Sequence, residues 1–199
     1  MIKPDSDMVA LTAQADLERL VQRVFWPLMR ELQPRSVVLS DHPVDEETFF
    51  KVAKDMTHNA LGQEARKAFA ITLGAMFERQ LRLWLAQSAP ERAKTIQKAQ
   101  REELQALVLE LKGVDMAALK VSADLHELWE LVSALRHGDG RATERLRKLA
   151  PHLVSETETV SDIRFSTVNI TDADLMKYHA ATVVFWSKVG ASTPIWYRE

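Results

Sequence analysis

The chain has no cysteine, which removes disulfides, thiolate metal sites, iron–sulfur clusters and thiol nucleophiles from consideration. Glycine and proline are scarce, 6 and 7 in 199 residues, so few positions break a helix or turn the chain sharply. No run of about 18 apolar residues occurs, because Arg, Glu, Lys or Gln interrupts every hydrophobic segment. The first seven residues lack the basic start and apolar core of a secretory signal. A cytoplasmic, reducing setting without a membrane partner is the expectation. Neither charge sign dominates: 26 basic and 28 acidic residues leave −2, with a pI near 6.3. No global field therefore draws the protein onto nucleic acid, although a local patch can. Also missing are a Gly-x-Gly-x-x-Gly turn, a Gly-Lys-Ser/Thr phosphate loop and a His-Glu-x-x-His pair. No cofactor is expected, and no metal.

What remains is helical periodicity. With 46% hydrophobic and 27% charged residues, the composition fits one globular domain large enough to fold on its own core. Leu17, Leu20, Val21, Val24, Phe25 and Leu28 step by three and four along a first helix, with Pro27 as its kink. Asp45 caps a second pattern that passes Gly62 and carries Phe69, Leu73, Phe77, Leu81 and Trp84 to a stop before Pro90. Glu91–Lys112 reads as one helix stopped by Gly113, and about Asp115–Arg136 as the next. Arg141–Leu149 forms a short helix closed by Pro151. Residues 154–170 read as an irregular connection with short extended pieces. Thr171 and Asp174 form a capping box before a last helix that Gly190 stops, with Leu175, Tyr178, Val183, Phe185 and Trp186 inward. Residues 1–8 are expected to be flexible and the apolar tail 191–199 docked. The fold class is all-α, an antiparallel bundle of five to six helices. Leu73, Phe77, Trp84, Leu128, Trp129, Val132, Phe185 and Trp186 are the expected core.

The helix before Gly138 carries the chemistry. His126, Glu130, Ser133 and His137, spaced four, three and four, share one face, opposite Leu128, Val132 and Leu135. His126 with Glu130 has a metal-ligand spacing but no third ligand. His137 beside Arg136 could work as an acid or base on a phosphodiester. Alternatively the row is a solvated or subunit-facing stripe, and Arg136-His137-Gly138-Asp139-Gly140 only closes the helix and turns the chain. Arg141, Arg145, Arg147, Lys148 and His152 follow as the one notable basic cluster. Candidate catalytic residues are therefore His137, Arg136 and Ser133, and candidate binding residues are Glu130, His126, Asp139, Arg141 and Arg145. Five tryptophans (Trp26, Trp84, Trp129, Trp186 and Trp196) could stack bases, but Trp84, Trp129 and Trp186 lie within apolar stripes and are better explained as core.

Leu-Trp-Glu-Leu-Val-Ser-Ala-Leu-Arg-His-Gly-Asp-Gly from Leu128, with Leu-Arg-Lys-Leu-Ala-Pro-His-Leu ending at Leu153, resembles the helical HEPN superfamily. In particular it is similar to bacterial members with a Lys/Arg-His-Gly-Asp-Gly turn after the signature helix. Phe77-Glu78-Arg79-Gln80-Leu81, and Thr171-Asp172 leading to Phe185-Trp186, fit the same picture, so the resemblance spans about Phe69 to Val189. It implies an RNA-directed protein of stress response or defence against mobile DNA, with a ribonuclease motif of Arg, a polar residue and His paired across a homodimer. Placing that His on His137 puts the polar residue at Ser133 and the Arg at Val132, where an apolar side chain cannot bind a scissile phosphate. Arg136 carries the charge but sits on another face. Two functions follow: an RNA-directed HEPN-like protein, or a catalytically silent homodimeric module that binds a partner protein.

Overall fold

The computed structural model describes residues 6–38, 45–138, 140–158 and 164–191. Among them the chain is an all-α helical bundle with one small β ribbon. Helix α1 (Ser6–Leu20) runs through a π-helical turn (Val21–Phe25) into α2 (Trp26–Glu31). The 43-residue α3 (Glu46–Ser88) starts on the Asp45 side chain, which accepts from the Thr48 N–H at 2.7 Å. A 3-10 turn, α4 (Ala93–Lys98) and α5 (Arg101–Lys112) follow, then α6 (Ser122–His137), α7 (Arg141–Leu149) and α8 (Asp172–Ala191). Between α7 and α8, β1 (Val154–Glu158) pairs antiparallel with β2 (Arg164–Val168), Val154 opposite Val168.

Three boundaries differ from the sequence reading. The expected Glu91–Lys112 helix is broken at Ala99 and Gln100, where the Glu103 carboxylate accepts the Gln100 N–H at 2.7 Å and starts a new helix. Asp115 caps a turn, accepting from the Ala117 N–H, and α6 begins only at Ser122. Gly190 does not stop α8, which continues to Ala191. The Thr171–Asp174 capping box is present, with bonds in both directions at 2.9 and 3.2 Å. Ser6 is already helical; residues 1–5 and the tail 192–199, Trp196 included, lie outside the described residues.

The core stripe of the first helix is Ala10, Ala13, Leu17, Val21, Phe25 and Met29, while Val24 and Leu28 are exposed. Steps of four drift around a regular helix of 3.6 residues per turn. The wider π turn, in which the Trp26 N–H reaches the Val21 carbonyl five residues back, takes up that drift and keeps Met29 on the core side. It also accommodates Pro27, which has no N–H to give.

The eight expected core residues are all buried. Phe77 lies among Trp129, Phe185 and Trp186 at centroid distances of 5.7, 5.2 and 5.9 Å, joining α3, α6 and α8. Buried Arg66 donates to Asp172 at 2.8 Å and fastens α3 to the N-terminus of α8, where a carboxylate is also favoured by the helix dipole. Helices α3 and α6 come close at Gly74: a Cβ there would stand 2.7 Å from Val132 Cγ2. Val132 is β-branched and 5% exposed, so it cannot swing away. Gly74→Ala should therefore lower stability by about 1–2 kcal/mol in urea unfolding, despite alanine's better helix propensity. Val132→Ala in the same chain should recover part of that loss; a Gly74→Ala protein as stable as the parent would contradict the close crossing.

Candidate functional site

Helix α6 meets α3 and α8 on its apolar side. Its other side forms the wall of a cleft of about 610 Å³ that reaches to α5 and α7. Five cationic side chains surround that space: Arg82 of α3, Lys98 of α4, Arg101 of α5, Arg136 of α6 and Arg145 of α7. Ser133 and His137 complete the α6 wall and also line a shallower cleft of about 390 Å³ with Arg141 and Arg145.

Glu130 organises the cleft. It is 3% exposed, and its carboxylate accepts from Arg101 Nη1 on one oxygen and from Arg145 Nε, at 2.8 Å, on the other. Burial alone would push this carboxyl up. The hydrogen bonds from Arg145 and Arg101, together with their charges, outweigh it and hold the group below the usual carboxylate range. Arg101 also lies 6.0 Å from the Trp129 ring centroid. Arg101 is held on both terminal nitrogens, since its Nη2 donates to Glu102 at 3.1 Å, whereas Arg145 is held through Nε and its side chain is 55% exposed. Arg82 is bound differently. It pairs with Glu78, and its Nη1 donates to the carbonyls of Ile96, Gln97 and Ala99 at 2.9–3.1 Å. That caps the end of α4 and sets the break from which Arg101 projects. Arg136 and Lys98 have no ion-pair partner among the described residues.

The turn after α6 is built on glycine. Gly138 has φ +66° and ψ −152°, and Gly140 φ +147° and ψ −153°. This region is essentially closed to other residues. The Thr143 hydroxyl donates to the Gly138 carbonyl at 2.8 Å and holds the start of α7 against the end of α6. His137 is exposed at the helix end, on the cleft beside Ser133.

Searches of family models, curated proteins and solved structures find no match for this chain. What the cleft can do follows from its own side chains.

Of the sequence candidates, His137, Arg136, Ser133, Glu130 and Arg145 come together on the larger cleft and Arg141 on the adjoining one. Asp139 lies outside the described residues. The polar row is not a continuous open stripe: Glu130 is sealed under two arginines, and His126 is half-buried and lines none of these clefts. With both Glu130 oxygens engaged by guanidiniums, the His126–Glu130 pair is not arranged as metal ligands. The basic cluster divides as well. Arg147 pairs with Glu144, and His152 turns toward α8, 3.4 Å from Asp174. There Glu127 accepts from both Lys177 and the Tyr178 hydroxyl at 2.6 Å, a polar knot between α6 and α8. Burial, reinforced by the Glu127 acceptor, raises the Tyr178 phenol well above its ordinary value, so it is a fixed donor. Sequence reasoning does not reach Arg82, Lys98 and Arg101. Gln100-x-x-Glu103 is the signal that could have found them, because a capping pair inside an apparent helix marks a restart and turns Arg101 out of line.

Because the folded Glu130 carboxyl is held low, its contribution to stability is complete above its ordinary value of 4.5 and is lost as pH falls through the folded value. Glu130→Gln should cost about 2–4 kcal/mol at pH 7, less than a fully buried pair because Arg145 is half-exposed. Urea unfolding at pH 7 and again below pH 4 should show the gap narrowing; a gap independent of pH would contradict the assignment.

Proposed function

We propose that the chain is an RNA-binding, HEPN-like protein that holds phosphate groups of the strand in the cleft between α5, α6 and α7. The observation that carries this reading is the Arg101–Glu130–Arg145 clamp together with Arg136 and Lys98, which have no ion-pair partner among the described residues, around one open space. A carboxylate behind two guanidiniums fixes their planes, and a fixed guanidinium suits the bidentate geometry of phosphate. The chain as a whole is acidic, so association depends on this local field and falls steeply with salt. Val132, packed on Gly74, leaves the motif arginine's place empty, and Arg101 and Arg145 supply guanidiniums to the same cleft from neighbouring helices. His137 stands at its edge, where an imidazole can hand a proton to a leaving oxygen.

Fluorescence anisotropy with a labelled single-stranded oligoribonucleotide tests the reading. The protein should bind, log affinity should fall linearly with log salt, and Arg136→Ala with Arg145→Ala should weaken binding at least tenfold and flatten that slope by about 1–2. Lys148→Ala, exposed and away from the clefts, should matter little. No binding at low salt would end the proposal. Strand integrity in the same samples, beside His137→Ala, separates a nuclease from a protein that only binds.

A second reading, the silent homodimeric module, draws on Phe49, Phe50, Met56 and Leu61, all more than half exposed on the first half of α3. Such a run of exposed apolar side chains suits a protein partner or a second copy. A monomeric mass by light scattering at micromolar concentration would contradict the homodimer.

A further inference from the structure

Beside the cationic cleft, α3 and α4 enclose a second depression of about 260 Å³. Its apolar lining is small, Ala75, Ala86 and Ala93 with Ile96, joined by Leu83, which remains 54% exposed. The polar side chains that line it are Arg79, Gln97, Glu78, Arg82 and Arg136. Those last three side chains also line the larger cleft, so the two spaces share a border, with the Glu78–Arg82 ion pair as the sill. The small apolar side chains admit a flat group. The cations on the border exclude a purely apolar occupant and favour one attached to an anion.

We infer that this depression is a nucleobase subsite, which receives an unstacked base of the strand whose phosphates lie in the cleft. The inference rests on the RNA-binding reading and extends it to a second set of residues. A base has apolar faces and a hydrogen-bonding edge. Its faces would lie against Leu83 and the alanines, with the Arg79 or Arg136 guanidinium plane over the open side, and the Gln97 amide offers both a donor and an acceptor to the edge. A base within a duplex is stacked and paired, so it cannot enter. The subsite therefore makes the protein selective for single strands without demanding one sequence.

The test compares three ligands by anisotropy at one salt concentration: a single-stranded oligoribonucleotide, the same backbone with abasic positions, and the corresponding duplex. The base-bearing single strand should bind roughly tenfold more tightly than either of the others. Ala86→Leu fills the depression without changing charge, and Leu83→Ser strips an exposed side chain that the core does not need. Each should lower affinity for the base-bearing strand to that of the abasic strand and leave abasic binding unchanged. Equal affinity of the parent protein for base-bearing and abasic strands overturns the subsite and leaves the phosphate cleft standing. Failure to bind any of the three overturns the RNA-binding reading, and this inference with it.

Discussion

One buried carboxylate sets the arrangement of the cleft. Glu130 sits on a helix whose neighbouring residues, Trp129, Leu131 and Val132, are all buried, so it could not remain charged there without partners. Arg101 and Arg145 provide them from helices on either side. The result is a three-helix tie; because Arg101 also pairs with Glu102, the excess positive charge around the open space comes from Arg136 and Lys98. Such a tie is not an efficient source of stability, since desolvation consumes much of the Coulombic gain. Its value is orientation. Two guanidiniums on long, otherwise mobile side chains are held with fixed planes, which on the phosphate-binding proposal lowers the entropy lost on binding.

The tie is possible because α6 itself is rigidly placed. Gly74 lets α3 come close enough for Val132 to rest on its backbone, and Phe77 gathers Trp129, Phe185 and Trp186 around the same level of the bundle. One side of α6 is therefore committed to the core and the other to the cleft, with residues only one position apart serving different ends. That division also explains position 132. In this chain it belongs to the helix crossing, and positive charge comes to the cleft from α5 and α7.

The long elements are legible in the sequence because their periodicity is strong. Asp45 begins α3, the aromatic stripe from Phe69 to Trp84 is core, and Thr171 with Asp174 opens α8. The first helix is legible on the right segment but with a tilted stripe, since a regular 3.6-residue period has no place for the π turn that brings Met29 inward and leaves Val24 and Leu28 outside. Within the site, the residues of α6 and α7 are visible because they are neighbours in sequence. Arg82, Lys98 and Arg101 are not, because their meeting around one cleft depends on the break at Ala99–Gln100 and on the carbonyls that Arg82 gathers there. Glu130 reads as a surface carboxylate for the same reason: nothing local to α6 announces the two arginines that cover it.

If Glu130 holds Arg101 and Arg145 ready for phosphate, nitrogen-15 NMR of the arginine Nε–H groups observes the encounter directly. On titration with a short single-stranded oligoribonucleotide at low salt, the resonances of Arg101, Arg145 and Arg136 should shift together and saturate at one stoichiometry. Those of Arg19 and Arg30, on the first two helices, should stay in place. Shifts spread evenly over all arginines, or confined to residues outside the cleft, would contradict a phosphate-binding role for the clamp.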